Sequence, residues 1–433
     1  MPVPSYSAVT FSQLQASLAL KLNDPTSVFY TAPELVWAIQ DSLRMWNCLT
    51  GDNKVTYPLN LTSGTVWYDL QTITGSPRQA TLTDYDIYKR IQYLLMEWSG
   101  TPLTLLTPQF TAADISTAVQ LKRDEFLLRT NCTRSTFTLP VTPNTPTLNM
   151  PQNNIAAPRA YWLPLFGTPF PLPKSDSFTS TAYLNPGLTP TDPQTFSSGM
   201  ESVLTVTLDP PPNAPGTVEF ISTLSQPTLP ASPLAPTLIE IPDDFIPAIM
   251  WGAIGYLLSF SLEANDKLRA DYANSRFDQF IDIITKYPFI MTAKIQAIPT
   301  YVDAVEVLDY YSPSWRVTTA TPSVIGTAGQ NLVACPSAIN QVITLFMVAN
   351  ADVPVNGGDE INLGQEVLDA IVDYAALTLL FKQGGAEAKA DQEMMQSMLT
   401  VAARRNSLVR ELSIYKNNMD KVGGREQEIE VET

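Results

Sequence analysis

Two stretches of the chain carry the same apolar pattern. Residues 248–260 read AIMWGAIGYLLSF, and residues 370–382 read AIVDYAALTLLFK. Both are long apolar runs of the kind that predicts a buried helix. At an offset of 122 positions (370 minus 248) five residues are identical: Ala248 and Ala370, Ile249 and Ile371, Ala253 and Ala375, Leu257 and Leu379, Leu258 and Leu380. Two interpretations stay open: a duplicated helical unit, or two ordinary buried helices.

Each apolar stretch is followed by a break and a second helical pattern. A first helical hairpin is predicted over 241–300, where Pro242, Asp243 and Asp244 suit a helix start. A second hairpin is predicted over 363–415, broken at Gly384-Gly385. If the duplication is real, the repeated unit is strand, loop, helix, break and helix.

The N-terminal region, 1–132, is predicted to be helical with one short β-hairpin. Helices are expected from residue 10 and after the capping residues Thr31, Thr83 and Thr111, and Gly51 ends the second of them. Residues 54–70 read as two strands around a Thr-Ser-Gly turn, which predicts a hairpin.

Three further segments complete the domain organisation. Residues 133–240 are rich in Thr, Pro and Ser with short β-prone runs, and 203–223 look like a hairpin around PPPNAPG. Residues 301–362 form a β-rich connection, and 416–433 form a charged tail. The fold class is therefore α+β, with helical hairpins or a bundle around an inserted β-rich, proline-rich region.

The charge and residue types of the chain exclude several functions. The formal net charge is −16, from 42 acidic and 26 basic residues, so nucleic-acid binding is not expected as the main role. The chain has no histidine, which removes Ser-His-Asp triads and His-based zinc sites. The separated cysteines Cys48, Cys132 and Cys335 predict buried free thiols.

No motif for catalysis, a cofactor or a metal is recognisable, so the chain is expected to be a non-enzyme without cofactors. The paired acids Asp243-Asp244 and Asp359-Glu360 precede the two apolar helices. As catalytic carboxylates they would do acid–base work. As charges at helix N-termini they need no further role, and this interpretation explains both pairs.

The start of the chain, MPVPSYSAVTFSQ, lacks the basic and apolar segments of a signal peptide. The longest apolar run is shorter than the roughly 20 residues that span a bilayer. No membrane association is therefore expected.

Two segments resemble bacteriophage head-to-tail connector (adaptor, or neck) proteins. They are FYTAPELVWAIQDSLRMWNCLTG at 29–51 and IPDDFIPAIMWGAIGYLLSFSLEANDKLRADYANSRFDQFIDII at 241–284. The resemblance implies a structural protein that forms a homo-oligomeric ring, a dodecamer in that family, between portal and tail. Its partners would be the portal protein and tail or neck proteins, DNA would only pass through, and the ring would join virions assembled in the bacterial host cytoplasm.

Other classes remain open on the sequence. The β-rich middle also fits another tail or baseplate structural protein, and the scattered aromatic residues and long loops fit a carbohydrate-binding module. For the connector interpretation, the candidate interface residues are aromatic and basic positions on the two hairpins: Trp251, Tyr256, Arg276, Phe277, Arg404, Arg405 and Tyr415.

Overall fold

A computed structural model confirms the α+β class. It describes residues 9–96, 110–175, 190–198, 204–225, 228–230, 236–260, 264–285, 290–295, 298–308, 315–316, 318–336, 339–383 and 398–403. Three units are visible: a helical core, a curled seven-stranded sheet and a two-sheet sandwich.

Among the described residues, seven helices and a helical stretch at 398–403 build the helical core. α5 lies near its centre, with α4 and α6 along its sides, and α7 packs on α1 and α2. A 3-10 turn, Asp243–Phe245, leads into α5, and another, Phe381–Gln383, follows α7. The helices are α1 (Phe11–Lys21), α2 (Ala32–Thr50), α3 (Asp84–Leu94), α4 (Ala112–Thr130), α5 (Ile246–Leu258), α6 (Ala264–Ile284) and α7 (Gln365–Leu380).

Local sequence determines where the first four helices begin. Each starts after a threonine whose side chain and backbone exchange hydrogen bonds with a residue three positions later. The predicted starts at Thr31, Thr83 and Thr111 are confirmed. The predicted stop at Gly51 is confirmed as well, because this residue takes a left-handed conformation with φ of 60°.

The seven-stranded sheet is built from both ends of the chain. Its strand order is β2 (Lys54–Leu61), β15 (Gln341–Val348), β11 (Ile290–Ile295), β12 (Ile298–Ala304), β13 (Val324–Ala328), β14 (Asn331–Cys335) and β3 (Trp67–Asp69). All neighbours are antiparallel except β12 and β13, which are parallel, and the 3-10 turn Val305–Val307 begins the connection between them.

The two edge strands of this sheet are consecutive in sequence. β2 and β3 are separated only by residues 62–66, although they lie at opposite ends of the strand order. A link this short brings the two edges together, so the sheet curls into a barrel around the side chains of Leu59, Tyr68 and Leu345. The β-hairpin predicted at 54–70 is therefore wrong: its strands pair with β15 and β14 rather than with each other.

Seven strands from the described residues between 135 and 224 form the sandwich. One sheet has the order β4 (Ser135–Val141), β10 (Gly216–Leu224), β6 (Asn154–Pro164) and β7 (Phe170–Leu172). The other has the order β5 (Thr147–Asn149), β9 (Thr205–Asp209) and β8 (Thr195–Ser198). Side chains such as Trp162, Phe196 and Phe220 fill the space between them.

The hairpin predicted around PPPNAPG is also wrong. Both predicted strands are present as β9 and β10, but they are largely buried rather than alternating. They lie in different sheets of the sandwich, so the proline-rich segment crosses from one sheet to the other. Proline cannot donate to a strand ladder, which suits a crossing segment better than a tight hairpin.

The sandwich packs on the outside of the barrel. Tyr161 and Ile221 from the sandwich meet Val333 and Trp315 from the barrel side in a separate apolar cluster. A small two-stranded sheet, β1 (Val9–Thr10) with β16 (Glu360–Ile361), joins the start of α1 to the segment before α7.

The first predicted hairpin is present as α5 and α6, which pack along each other. The end of its predicted range, 241–300, is wrong, because residues from 290 onward belong to strands β11 and β12. In the second, only α7 and a helical stretch at 398–403 are described, and the rest of 384–415, like the 416–433 tail, lies outside the described residues. The strand before α5, β10, belongs to the sandwich, whereas the strand before α7, β16, belongs to the two-stranded sheet and follows β15 of the barrel. The two apolar helices share one core, and that common burial accounts for their similar patterns.

Candidate functional sites

Three of the predicted interface residues lie in the interior. Trp251, Arg276 and Phe277 are 1%, 4% and 2% exposed, so the interface role expected for them is wrong. These residues lie at helical spacing because they pack between helices of the core. Tyr256 is half-buried, with its ring 5.0 Å from that of Phe260. Arg404, Arg405 and Tyr415 lie outside the described residues.

Arg276 and Phe277 instead join helices. The Arg276 guanidinium lies 4.7 Å from the centre of the Tyr374 ring on α7 and 5.9 Å from that of Trp251 on α5. The Phe277 ring lies against Gly252, where an added Cβ would come within 2.9 Å of it. These contacts fix the distance between α5 and α6 and attach both helices to α7.

The acids before α5 form a buried anchor rather than a solvated helix start. Asp243 accepts hydrogen bonds from the backbone N–H groups of Thr81 and Leu82, at 2.9 and 3.0 Å. Asp244 is fully buried and accepts from Asn47 Nδ2 at 2.8 Å, from the Ala351 N–H at 2.8 Å and from Arg78 at 3.3 Å. Because Asp244 is buried and bonded to three distant segments, its role goes beyond the negative charge that it adds at the start of the helix.

This anchor holds the helical core to the barrel. Asn47 belongs to α2, Arg78 to the segment after β3, and Ala351 to the segment after β15. Burial raises the pKa of Asp244 in spite of the Arg78 charge beside it. The Asp244 carboxylate therefore holds the segments that contain Asn47, Arg78 and Ala351 in place. It has no contact with solvent, so it cannot act on a substrate.

The second acidic pair does not form a two-carboxylate site either. Asp359 accepts hydrogen bonds from the N–H groups of Asn356 and Val355, both at 2.8 Å, and these lower its pKa. Glu360 is exposed on β16. Asp359 therefore closes a turn before the helix.

An apolar loop projects from the helical core between α1 and α2. Val28 is 80% exposed and Phe29 is 46% exposed, and Leu20 at the end of α1 is 67% exposed. We call residues 22–31 the Val28 loop. Isolated exposed apolar residues are common on proteins, but these three occur close together in sequence and the loop that carries two of them is ordered by specific bonds.

Asp24 organises the Val28 loop. Its carboxylate accepts from the N–H groups of Tyr30 and Phe29 at 2.8 Å and of Val28 at 3.0 Å. The Tyr30 N–H, together with the other two, lowers the pKa of Asp24. Ser27 has a φ of 52°, a conformation rare for residues other than glycine, asparagine and aspartate. The loop keeps an unfavourable backbone geometry that presents apolar side chains to solvent.

A buried ion pair supports the loop from below. Lys382 Nζ lies 2.6 Å from Glu34 Oε1, donates to the Phe29 carbonyl at 3.2 Å and lies 4.8 Å from the centre of the Phe29 ring. The loop is thus tied to the start of α2 and to the turn after α7.

A second apolar projection lies on the sandwich. The turn between β6 and β7 carries Leu165, 67% exposed, and Phe166, 89% exposed, which is the most exposed large apolar side chain among the described residues. Gly167 follows with a φ of 130°, which glycine adopts without strain. We call residues 165–169 the Phe166 turn.

The sequence does indicate both projections, through large apolar residues placed inside turn-forming segments, although the periodicity of helices and strands does not show them. Val28 and Phe29 follow Asn23-Asp24-Pro25, and Leu165 and Phe166 lie between Pro164 and Gly167. Large apolar residues inside turn-forming segments have no core to join, so their side chains are left for solvent or for a partner.

A cleft lies where the three units meet. Asp69 and Gln71 come from the end of β3, Arg134 and Ser135 from the start of β4, and Glu240 from the segment before α5. Its volume is about 250 Å³. We call it the junction cleft. Its residues are separated by up to 171 positions (240 minus 69), so no local pattern predicts it.

Among the described residues, no three histidine, cysteine or acidic side chains come together as a metal site. Within the same part of the chain, no helix is both long and apolar enough to cross a bilayer. The three thiols are buried and free, which confirms that prediction.

Comparison with known proteins assigns neither a family nor a function to the chain. No protein-family model matches the chain, and no curated protein matches it significantly. The function must therefore be argued from the residues and surfaces described above.

Proposed function

We propose that this chain is a non-enzymatic structural protein of a bacteriophage virion, a head-to-tail connector subunit that forms a ring between portal and tail. The observation that carries the proposal is the presence of ordered, exposed apolar groups on two different units, the Val28 loop on the helical core and the Phe166 turn on the sandwich. The resemblance of segments 29–51 and 241–284 to connector proteins points the same way.

A ring subunit needs two different contact surfaces. In a head-to-tail contact, one patch of a subunit meets a different patch of its neighbour, and the contacts close into a ring when the rotation allows. Two unlike apolar projections on one chain meet that need. The acids before α5 are engaged in internal hydrogen bonds, so they are not available for acid–base chemistry.

The negative net charge of the chain fits a ring through which DNA passes better than a surface that binds DNA. With a net charge of −16, the protein gains little from releasing the counterions of DNA. In the proposed ring, DNA would move past a surface to which it does not adhere. Partners would be further copies of the chain, the portal protein and tail or neck proteins.

The test is the mass of the full chain in solution, by light scattering over a range of concentrations, with negative-stain images. We expect a closed ring, alone or after addition of the portal protein from the same virion, because some virion proteins assemble only on a template. The variants Val28→Asp and Phe166→Asp should abolish the ring, and Val355→Asp, at a 75% exposed apolar position outside both surfaces, should not.

Two results would overturn the proposal. One is a monomer both alone and with the portal protein. The other is absence of the chain from purified particles, measured by mass spectrometry of the virion.

A further inference from the structure

The chain contains a single Asn-Gly dipeptide, Asn356-Gly357, in the turn before β16. Both residues are exposed. An asparagine loses its side-chain amide most readily when glycine follows, because the next backbone nitrogen attacks the side-chain carbonyl carbon and glycine has no side chain to obstruct the approach. Whether this reaction can occur in a folded chain depends on the bonds around that nitrogen and that amide.

The attacking nitrogen has no competing hydrogen bond. The Gly357 N–H donates to no acceptor within the described part of the chain, although the N–H groups of Asn356 and Asp359 in the same turn are bonded. The Asn356 side chain makes one polar contact with the described residues, from Nδ2 to Asp359 Oδ1 at 3.5 Å, which is at the limit of a hydrogen bond. Neither the nucleophile nor the leaving amide is therefore firmly held.

One hydrogen bond of the turn opposes the reaction. The Asp359 N–H donates to the Asn356 carbonyl at 3.0 Å. The peptide group between Asn356 and Gly357 must rotate to bring its nitrogen to the side-chain carbon, and this rotation breaks that bond. Hydrogen bonds at the surface open easily, so the turn slows the reaction without preventing it.

We propose that Asn356 is a site of spontaneous deamidation. The Gly357 nitrogen forms a bond to Asn356 Cγ, the Cγ–Nδ2 bond breaks, and ammonia leaves with the proton from the Gly357 nitrogen. Water then opens the five-membered cyclic imide at either carbonyl. Opening at Cγ gives aspartate, and opening at the backbone carbonyl gives isoaspartate. The reaction needs only water, and it does not depend on the proposed ring.

The modification changes the charge of the turn. Both products carry a carboxylate where the amide stood, 3.5 Å from a carboxylate oxygen of Asp359. Like charges at this distance repel each other, so the contact that the amide made is lost. Isoaspartate also adds one methylene to the main chain between Asn356 and Gly357.

The start of α1 depends on this turn. The Gly357 carbonyl accepts hydrogen bonds from the N–H of Ser12 at 3.0 Å and from its Oγ at 2.8 Å, and the Phe11 N–H donates to the Asp359 carbonyl at 2.9 Å. The two segments lie so close that a Cβ on Gly357 would collide with Ser12 Oγ. A longer main chain at this point cannot keep all three bonds, so deamidation should loosen the start of α1.

The first experiment incubates the folded full chain at pH 6 and pH 9 and follows the peptide that contains Asn356 by mass spectrometry. We expect conversion to aspartate and isoaspartate, faster at pH 9 because the attacking nitrogen must lose its proton. Asn274-Ser275 also has a small following residue but lies inside α6, where the backbone is fixed by helix bonds, and it should not change. A synthetic peptide of residues 351–362 gives the unrestrained rate. No conversion in the folded chain once this peptide has fully reacted would overturn the proposal.

Variants test the mechanism and its consequence. Asn356→Gln keeps an amide but would need a six-membered ring, so the rate should fall at least about tenfold. Equal rates in this variant and in wild type would overturn the proposal. Asn356→Asp supplies the new charge without the added methylene.

Hydrogen exchange measures the effect on α1. In the deamidated chain the amides of Phe11 and Ser12 should exchange several-fold faster than in fresh protein, and Asn356→Asp should show a smaller increase. Unchanged exchange at both amides in fully modified protein would overturn the predicted loosening of α1.

Discussion

Arg78 and Asp244 form an ion pair with no exposure of either side chain, and the pair links the barrel to the helical core at the start of α5. Arg78 also donates from Nε to Gln330 at 3.1 Å, and its guanidinium lies 5.3 Å from the centre of the Phe245 ring. Through these contacts the pair connects residues from three distant parts of the sequence.

Removing one partner of this pair should destabilise the protein strongly. Asp244→Ala leaves a buried arginine without its counter-charge, and we expect a loss of about 3–5 kcal/mol in the free energy of unfolding. Urea denaturation measures it. Asp352→Asn, at an exposed acid nearby, is the control and should change stability by less than about 0.5 kcal/mol. A similar small effect at Asp244 would contradict the anchor role.

The same carboxylate should give stability a characteristic pH dependence. Burial raises the pKa of Asp244 in the folded state, so the folded chain holds this proton more tightly than the unfolded chain. Its contribution is present below the unfolded pKa and is lost as pH rises through the folded pKa. We expect Asp244→Asn to remove this part of the dependence, measured as unfolding free energy from pH 4 upward in steps. An unchanged profile would show that Asp244 does not titrate differently on folding.

Gly329 should not tolerate a side chain. It takes a φ of 60° in the turn between β13 and β14, and an added Cβ would lie 2.2 Å from the Cys132 carbonyl oxygen. The strand turn and the end of the α4 region approach each other there, and the Gln330 N–H donates to the same carbonyl at 2.6 Å. Gly329→Ala should cost more than about 1–3 kcal/mol, the usual penalty for backbone strain alone.

Gly64→Ala is the matched control for Gly329. This glycine also has a positive φ, 77°, but nothing lies within 4 Å of the added Cβ. It should show only the backbone penalty. Equal losses in the two variants, measured by thermal unfolding, would mean that the contact with Cys132 does not matter.

The thiols should be unreactive while the chain is folded. Burial raises the pKa of Cys132 to about 11 and that of Cys48 well above its usual value, so almost no thiolate is present at neutral pH. We expect no reaction with a disulfide reagent at pH 8 in buffer and reaction of all three cysteines in denaturant. Fast modification of the folded protein would contradict the burial of Cys48 or Cys132.

The order of the Val28 loop should depend on Asp24. Asp24→Ala removes the acceptor of three backbone N–H groups, so the amides of Val28, Phe29 and Tyr30 should exchange with deuterium much faster. Because the pKa of Asp24 is lowered, this stabilisation is present above the unfolded pKa and is lost as pH falls through the folded value. Asp192→Ala, in a different segment, should leave those three amides unchanged.

Local features of the fold could be predicted from the sequence, and long-range pairing could not. The capping threonines and Gly51 act within one helical turn, so the starts and stops they predict hold in the structure. The strands at 54–70 and 203–223 were recognisable, but their partners were not. A strand shows its alternation locally, and its neighbours are chosen by how whole sheets close and pack.

In the candidate sites too, the residue types could be predicted from the sequence, but the contacts between distant segments could not. Trp251, Arg276 and Phe277 have residue types common in interfaces, and only the packed structure shows that they lie between helices. Asp243 and Asp244 fit a helix start, yet their partners come from segments more than 100 positions away. The junction cleft needs three units in place before it exists.

The short link between β2 and β3 has a consequence for synthesis on the ribosome. The described strands of the sandwich end at Leu224, but β3 must wait for β14, which ends at Cys335, and β2 must wait for β15. β15 ends at Val348, roughly 280 residues after Asp69. At about 5–20 residues per second, that wait lasts roughly 14–56 seconds. Meanwhile the nascent chain carries an apolar strand face with no sheet to join. Lys54 and Pro58, both on the exposed side of β2, are residue types that discourage pairing with other chains, and they protect the N-terminal strands while translation continues.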